Sequence, residues 1–326
     1  MTRVVREISE KRPVPSDAAL PVSCLVCGLK DFEIILQKND FEIFRCRQCG
    51  FGSVAPMPDD DFLLRFYEQQ EYFQSDGVFG YSDYESKREF YLGLFRDHLR
   101  ILNGHSEPGR LLDLGCGKGD FLSLAREAGW EVCGVEISDS CRREAERRAG
   151  VPVYSSPRYL SDKREFFDVI TMWEVIEHLP HPDRVLSEVL PLLRAGGLLA
   201  MTTPNTRNLT ALRSPARWSE YKPPEHLLYF NFDTIHQYLS ERFNLQVLEV
   251  KGIHRDLRLA SSGWVEAILD WASRLRLRHE TRFDPRWWVY AMLVRMFKEA
   301  PRRMSMALGT LDPRLVDTGI FVLARK

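Results

Sequence analysis

The sequence predicts an α/β protein in which an open, mostly parallel sheet follows a small metal-bound unit. Three observations lead to this prediction. A short apolar strand at 111–114 runs into a glycine-rich turn and then a helix, which is the order of a βα unit that holds a ligand at its turn. A second strand follows and ends at the acidic Glu136. Nearer the start, two C-x2-C pairs are separated by 18 residues, a spacing typical of a zinc site.

Length and composition favour a small-molecule partner. The 326 residues suffice for a large α/β domain with one or two additions. A net charge of -1 does not draw the chain as a whole to nucleic acid, so no nucleic-acid partner is expected. No run of about 18 apolar residues is present, and residues 1–20 lack the apolar stretch of a signal peptide. We therefore expect a cytoplasmic protein without a transmembrane segment, either a monomer or a homodimer.

Residues 21–56, after a flexible segment 1–20, are predicted to form a zinc ribbon. Each C-x-x-C pair turns two thiolates toward one point, and the glycine behind it lets the chain bend. The alternation of "FEIILQKNDFEIFRC" predicts a hairpin between the pairs. Four thiolates leave no open coordination position, so the zinc is expected to be structural. The alternative is two unrelated cysteine turns or a redox dithiol. The predicted ligands are Cys24, Cys27, Cys46 and Cys49.

The turn "DLGCGKGDF" is the strongest ligand signal in the second unit. Glycines at 115, 117 and 119 let the backbone approach a ligand closely. Glu136 lies 21 positions after Gly115, where a carboxylate can hold two ribose hydroxyls. These residues imply a cofactor that contains a nucleoside.

The same turn resembles the first motif of class I S-adenosylmethionine-dependent methyltransferases, D/E-x-G-x-G-x-G. The resemblance continues through "FFDVITMWEVIEHLPHPDRVLSEVLPLLRAGGLLAMTTPN", "FNLQVLEVKGI" and "TGIFVLARK", and it covers about 200 residues. It implies S-adenosylmethionine as the cofactor and a Rossmann-like domain over 106–254 and 314–326, with a seven-stranded sheet and helices on both faces. It also implies that Asp113 supports the turn and that Glu136 binds the ribose. The expected cofactor residues in this domain are Asp113, Gly115, Cys116, Gly117, Gly119, Glu136, Ile137, Trp173 and Glu174.

Two further segments bear on the cofactor. The stretch "VYSSPRYLSDKREF" lacks the acid and following apolar residue that hold adenine in the family, which leaves Ser155 and Ser156 as candidates. Residues 57–105 are predicted to form linker helices and an aromatic lid, because "YFQSDGVFGYSDYE" places tyrosines 72, 81 and 84 in a glycine-punctuated loop. Tyr81 and Tyr84 are expected to cover the cofactor, and the alternative is that these rings pack the ribbon onto the main domain.

The stretch "YKPPEHLLYF", residues 221–230, is predicted to lie over the acceptor. Its two prolines prevent a helix, and its position after the fifth strand places it at the carboxyl ends of the strands. His226 can accept a proton near neutral pH, and Glu225 can orient it. The alternative is a structural turn with a surface ion pair. Donors expected to contact the acceptor are His178, Asn205 and Arg217.

The order of ribbon, "CGFGSVAPMPDDDFLLRFYEQQEYF" segment, methyltransferase domain and "PPEHLLYF" is similar to the zinc-ribbon sugar C-methyltransferases and their relatives in surface-polysaccharide and natural-product pathways. In that family a Tyr-x-Glu-His motif supplies the base. Glu225 and His226 match it, whereas Pro223 stands at the tyrosine position. Tyr221, two residues earlier, is the candidate for the catalytic tyrosine at the acceptor. The resemblance implies methylation at oxygen or carbon of a sugar nucleotide or a glycan or natural-product precursor, with His226 as the general base.

Other functions remain open. Glu174, Glu177 and His178 form E-x-x-E-H, similar to the ubiquinone-pathway O-methyltransferases, in which these positions bind a divalent cation. A zinc-ribbon RNA methyltransferase or RNA-binding protein is another possibility, although the ribbon lacks the clustered Lys and Arg that phosphate binding needs. A catalytically silent assembly subunit is the third.

Between strands six and seven, residues 255–313 are predicted to form a helical insertion. Residues 274–303 contain nine Lys or Arg and three acids. Such helices can form a lid, a dimer contact or a basic surface for peripheral contact with anionic lipid, and the alternative is a helical cap with solvated charges.

Overall fold

The structure, a computed structural model, describes residues 23–68, 84–253 and 317–326, with backbone alone at residue 68 and at residues 84–87. The predicted insertion at 255–313, the segment 1–20, Tyr72 and Tyr81 lie outside these residues, and the side chain of Tyr84 does too.

The described residues alternate strands and helices. The strands are β1 (Phe32–Lys38), β2 (Phe41–Cys46), β3 (Gly52–Ala55), β4 (Arg110–Leu114), β5 (Glu131–Val135), β6 (Val153–Tyr154), β7 (Phe167–Trp173), β8 (Leu193–Pro204), β9 (Leu228–Tyr229), β10 (Gln246–Ile253) and β11 (Gly319–Arg325). The helices are α1 (Asp60–Glu68), α2 (Tyr84–His105), α3 (Asp120–Glu127), α4 (Asp139–Ala149), α5 (Pro182–Val189), α6 (Leu209–Arg213) and α7 (Phe232–Gln237). Short 3-10 turns cover Pro157–Leu160, Ile176–His178, Leu190–Leu192 and Pro215–Arg217, and a π turn covers Tyr238–Arg242.

The larger sheet has the predicted seven strands, in the spatial order β10-β11-β8-β7-β4-β5-β6. The strands from β8 to β6 are parallel, whereas β11 runs antiparallel to both of its neighbours. The central strands β4 and β7 are buried along almost their whole length, as expected for parallel strands covered on both faces. The strand order reverses between β4 and β7, and ligands bind at such a point in open α/β sheets. The expected Rossmann-like sheet is therefore confirmed.

The smaller sheet contains the predicted hairpin. β1 and β2 pair antiparallel from Phe32 to Cys46, and β3 adds to β2. A fourth strand was not predicted: β9, from the loop after β8, pairs with β3. Cys24 and Phe51 of the ribbon therefore belong to one buried cluster with Phe230 and Ile235. The ribbon shares its core with the segment that was expected to lie over the acceptor.

The described helices were also compared with the length and apolarity that a bilayer requires. Within residues 23–68, 84–253 and 317–326, none of them is long and apolar enough to cross a membrane.

Candidate active site

A cavity of about 480 Å³ lies at the carboxyl ends of the parallel strands. The turns after β4, β5 and β7 line it, together with the residues after β6 and one face of α1. From the strand ends come Gly115, Gly117, Glu136, Ile137, Ser155, Ser156, Glu174, Val175 and His178, and from α1 come Leu63, Leu64 and Tyr67. The cavity joins the predicted cofactor turn to one of the predicted acceptor residues.

The glycine turn takes the form that the motif predicts. Gly115 has a φ of 71°, and a Cβ there would lie 2.5 Å from Val175 Cγ2, so only glycine fits. Gly117 faces open space in the cavity. Gly119 serves a different purpose from the one predicted: a Cβ there would lie 2.8 Å from Ala145 Cα. Its role is the close packing of α3 on α4, and it does not line the cavity.

Glu136 is held ready for a ligand. Its Oε2 accepts a hydrogen bond from the Gly117 amide at 2.9 Å, and its Oε1 accepts one from the Ser138 amide at 2.9 Å. Burial raises the pKa of this carboxyl, while the backbone donors act in the opposite direction. Ile137 beside it is 51% exposed at the cavity mouth. An exposed apolar side chain next to a fixed carboxylate suits a nucleoside, which has a flat base and a hydroxylated sugar.

Asp113 lies on β4, two residues before Gly115. It is buried, and Oδ1 accepts a hydrogen bond from the Thr171 hydroxyl at 2.6 Å. Burial raises the pKa of Asp113 to about 7, against the lowering effect of that hydrogen bond. Thus Asp113 lies where a supporting residue was predicted.

Two predicted cofactor residues point away from the cavity. The Cys116 thiol faces β5, since a Cβ at Gly134 would lie 2.7 Å from its Sγ. Trp173 stacks on His98 with ring centroids 4.4 Å apart and meets Phe121 edge-on. The predicted contacts of both side chains with the cofactor are therefore corrected. Successive side chains of a strand point to opposite faces, and Trp173 ends β7 on the face covered by α2 and α3.

His178 is the imidazole that lines the cavity. It closes the turn Ile176–His178, and its Nδ1 lies 3.2 Å from the Tyr67 hydroxyl on α1. Burial lowers the pKa of His178 to about 4, and the charge of Lys222 lowers it further, while Glu225 acts in the opposite direction. The ring is therefore neutral at neutral pH, and one of its two nitrogens carries no hydrogen.

His226 lies behind His178 and is 2% exposed. The two rings are perpendicular, with centroids 4.7 Å apart. Nδ1 of His226 lies 3.1 Å from the Glu220 carbonyl oxygen, which only accepts, so Nδ1 carries the hydrogen and Nε2 is left as an acceptor. Burial lowers the pKa of His226 well below its ordinary value. The predicted base His226 therefore does not line the cavity itself, and it contacts His178, which does.

Glu225 forms a buried ion pair and not a surface one. Its Oε1 accepts a hydrogen bond from Lys222 Nζ at 3.0 Å, and its side chain is 5% exposed. Burial opposes the charge on Lys222, but Glu225 and Glu220 together hold the pKa of Lys222 above its ordinary value. The pair fixes the loop that carries His226.

Three predicted acceptor residues lie elsewhere. Tyr221 is buried among rings, 4.6 Å from Trp218 and 4.9 Å from Tyr229 between centroids. Burial raises the pKa of Tyr221 to about 12. The Asn205 amide donates to the Asp317 carbonyl at 2.9 Å and ties the loop to the residues before β11. Arg217 is exposed. None of them lines the described cavity, because the loop after β8 passes through the core before it reaches His226.

The candidate cation ligands that the structure brings together differ from the predicted ones. Glu177, His178 and His226 place ligand atoms within 4.8 Å of one another. Glu174 lines the cavity but does not belong to this group. Glu177 is fully buried, and within the described residues its carboxylate oxygens make no hydrogen bond. Burial raises the pKa of Glu177 to about 8, and the nearby Thr203 hydroxyl acts in the opposite direction.

Sequence reasoning missed the contribution of α1. Leu63, Leu64 and Tyr67 line the cavity, and Tyr67 contacts His178 directly. The signal was present in "DDDFLLRFYE", where acids begin a helix and apolar residues recur at helical spacing.

The four predicted zinc ligands converge. The sulfur atoms of Cys24, Cys27, Cys46 and Cys49 lie within 4.8 Å of one another. Two pairs are closer, Cys24 with Cys49 at 3.5 Å and Cys27 with Cys46 at 3.6 Å. Four thiolates at about 2.3 Å from one ion would be spaced in this way. The arrangement fits a tetrahedral zinc ion.

Comparison with curated proteins gives distant relatives. A ubiquinone biosynthesis O-methyltransferase of Coxiella burnetii is 29% identical over 156 residues, which are 44% of this chain and 66% of that protein. Its counterpart in Haemophilus ducreyi is 30% identical over 123 residues, 34% of this chain and 52% of that protein. The chain therefore spans less than two thirds of the length of these relatives.

Among solved structures, a SAM dependent methyltransferase from Archaeoglobus fulgidus is 18% identical, with a TM-score of 0.49 over 73% of this chain and 94% of that one. A family model described as a methyltransferase domain matches residues 84–250, slightly more than half of the chain. These residues include the glycine turn, Glu136 and the whole loop 205–227 between β8 and β9. The chain therefore belongs to this family of methyltransferase domains.

Proposed function

We propose that this chain is an S-adenosylmethionine-dependent methyltransferase. Its acceptor is a small polar molecule, a sugar nucleotide or a glycan or natural-product precursor, methylated at oxygen or carbon. The observation that carries the proposal is that one cavity joins the glycine turn and Glu136 at one end to His178 at the other. Such a cavity brings a methyl donor and a proton acceptor to the same space. Membership of the methyltransferase family supports it.

We assign the cofactor to the end of the cavity that the glycine turn and Glu136 form. When bound, S-adenosylmethionine supplies an electrophilic methyl group on a sulfonium ion. Gly115 and Gly117 offer bare backbone to this cofactor, and Glu136 offers a carboxylate fixed by two amides. Ile137 with Ser155 and Ser156 lines the same end, where the nucleobase would bind. Zinc is assigned to the cysteine cluster as a structural ion, because four thiolates complete its shell.

At the acceptor end, we assign His178 as the group that takes the proton. Methyl transfer is an in-line displacement, so the protein positions the nucleophile and removes its proton. With the cofactor bound, the methyl carbon would exchange its bond to sulfur for a bond to the acceptor oxygen or carbon, and the proton lost from that acceptor atom would pass to a His178 ring nitrogen. His226 lies next to His178, and Glu220 Oε2 lies 3.7 Å from His226 Nδ1.

Two arginines at the rim support a phosphorylated acceptor. Arg158 pairs with Glu188 at 3.1 Å, and Arg184 pairs with Asp60 at 3.5 Å. Both arginine side chains are more than half exposed, and exposed ion pairs contribute about 0 to 1 kcal/mol. A diphosphate can therefore replace either carboxylate at little cost, with the geometry that Arg favours for phosphate.

A second candidate is an O-methyltransferase that uses a divalent cation to hold its acceptor. It is favoured by the approach of Glu177, His178 and His226, since a carboxylate and two imidazoles suit a divalent transition metal. The ubiquinone biosynthesis relatives carry out methylation at oxygen by name.

The cofactor assignment is tested by calorimetry with S-adenosylmethionine. We expect the wild type to bind and Glu136→Ala to bind about 10- to 100-fold more weakly, because charge-assisted hydrogen bonds are lost. Gly117→Arg should abolish binding by filling the cavity. Glu131→Ala is the matched control, since Glu131 is exposed at the opposite end of the same strand. Equal binding by wild type and Glu136→Ala would contradict the assignment.

The acceptor class is tested by offering labelled S-adenosylmethionine with a nucleoside-diphosphate keto-sugar or with a catechol, each with and without Mn²⁺. Transfer to the sugar supports the first candidate. Transfer to the catechol alone, and only with Mn²⁺, supports the second.

A further inference from the structure

We propose that the cysteine ribbon is the positioning element of the acceptor end of the cavity: its metal-held knuckle fixes residues 223–231, and these hold His226 behind His178. That the acceptor binds at this end of the cavity is part of the proposed function, on which this inference rests. The physical claim is narrower: loss of the ribbon metal loosens this end and leaves the cofactor end intact.

Leu227 is the direct link between the ribbon and the cavity turn. Its carbonyl accepts a hydrogen bond from the Val54 amide of β3 at 3.0 Å, and its amide donates to the Glu177 carbonyl at 2.8 Å. One buried residue therefore joins a ribbon strand to the turn that presents His178. The next two residues form β9 and continue the ribbon sheet opposite Gly52 and Ser53.

The second cysteine knuckle holds the far end of the segment. The Asn231 side-chain amide donates to the Cys49 carbonyl at 3.4 Å. The same side chain caps α7, since its Oδ1 accepts from the amides of Asp233 and Thr234. Phe230 packs edge-on against Phe51, with ring centroids 5.0 Å apart. A knuckle without its metal would lose the geometry that these contacts require.

The hairpin of the ribbon holds the near end. At the turn between β1 and β2, the Asn39 amide donates to the Pro223 carbonyl at 2.7 Å. Between the two anchors, Tyr229 donates its hydroxyl to the His226 carbonyl at 2.8 Å. The ribbon thus contacts both ends and the middle of the segment that carries His226.

The cofactor end is held by its own residues. Glu136 is oriented by amides of Gly117 and Ser138, and Asp113 is held by Thr171. All of these belong to the turns and strands of the larger sheet. The two ends should therefore respond differently when the ribbon is disturbed.

The first experiment compares the zinc-loaded full chain with Cys49→Ser, by metal analysis, amide hydrogen exchange and calorimetry with S-adenosylmethionine. We expect one zinc per wild-type chain and its loss in the variant. Exchange in the segments 174–179 and 222–231 should rise at least about tenfold, because these amides lose their fixed partners. Exchange at 110–120 and cofactor affinity should change less than about threefold. Cys133→Ser, a half-buried cysteine on β5, is the control and should retain the zinc.

The second experiment disturbs the contact without touching a cysteine. A Cβ at Gly52 would lie 3.0 Å from Tyr229 Cβ and 3.0 Å from the Phe44 carbonyl oxygen, so Gly52→Ala must shift β3 by a few tenths of an ångström relative to both β9 and β2. We expect zinc to be retained while exchange at 222–231 rises. Gly93→Ala is the matched control, because a Cβ there meets no atom within 4 Å.

The exchange measurements distinguish the proposed coupling from a general loss of stability. Faster exchange confined to 174–179 and 222–231 supports the proposal, whereas a general loss of stability would raise exchange in both ends together and contradict it for that variant. If Cys49→Ser unfolds the whole chain, Gly52→Ala decides, and wild-type exchange there overturns the proposal. A wild-type chain that shows the coupling but binds no S-adenosylmethionine would overturn the proposed function and leave the coupling standing.

Discussion

The two ends of the cavity differ in how their buried polar groups are satisfied. At the cofactor end, Glu136 accepts two backbone amides and Asp113 accepts a hydroxyl. At the acceptor end, Glu177 is buried without a hydrogen bond among the described residues, beside two imidazoles whose pKa values burial lowers. A satisfied site is rigid and ready for one ligand, whereas unsatisfied buried groups carry a free-energy cost that a proton, a cation or an acceptor can relieve.

This difference suggests a division of roles. The cofactor end is built from residues that lie close together in the sequence, so short-range sequence specifies its geometry. The acceptor end is assembled from three separate parts of the chain: α1, the turn Ile176–His178 and the loop held by the ribbon. The chemistry specific to this protein is therefore expected at the end where a buried carboxyl and two buried imidazoles lie together.

The largest expected effect is on methyl transfer, and it should differ between substitutions of the two imidazoles. His178→Ala should lower methyl transfer by about 10²- to 10⁴-fold, the usual contribution of a positioned base, while cofactor affinity stays within about threefold. His226→Ala should cost less, because His226 acts through His178. Single-turnover transfer and calorimetry measure the two quantities.

His236→Ala is the matched control for these variants, since His236 is exposed on α7. A His226→Ala variant that is more impaired than His178→Ala would reverse the assignment and make His226 the base. Full activity in both variants would return the pair to a structural role.

The same division explains what the sequence could predict. Gly115, Gly117 and Glu136 lie within one βα unit and its next strand, so a local motif specifies their geometry, and the structure places them at the cavity. The order of the seven strands follows from the alternation of strands and helices together with the family resemblance. Both levels depend on short-range periodicity and turn chemistry.

The acceptor end could not be predicted in this way. Position after β8 does not reveal which side chains of a long loop turn inward, and Tyr221 and Asn205 were assigned to the acceptor although they pack in the core. The contact of Tyr67 with His178 joins residues 111 positions apart. The strand that pairs with the ribbon, β9, has only two residues. Such a strand is too short to show a periodic pattern in the sequence.

A second prediction concerns the buried carboxyl of the acceptor end. The pKa of Glu177 is raised from about 4.5 to about 8, so between these values the folded chain holds a proton that the unfolded chain has lost. Stability therefore falls as pH rises through this window. Glu177→Gln removes that penalty and should raise the free energy of unfolding by about 1 to 3 kcal/mol above pH 8, with almost no gain at pH 4.5.

Urea unfolding at several pH values, without added divalent cation, measures this effect. Glu127→Gln, on the exposed face of α3, is the matched control. A gain that is equal at every pH would mean that packing, not ionisation, accounts for the change.

The smallest expected effect is on stability. It comes from a substitution that removes a hydrogen-bond donor from a buried carboxyl at the cofactor end. Thr171→Val keeps the shape of the side chain but removes the donor to Asp113. Below pH 7 the Asp113 carboxyl is largely protonated, because burial raises its pKa to about 7, and little should change. Above pH 7 the carboxylate would be buried without this donor, and the free energy of unfolding should fall by about 1 kcal/mol. The variant's loss should therefore grow with pH, whereas a constant loss would show that the hydroxyl serves packing alone and that the contrast between the two ends does not depend on their hydrogen bonds.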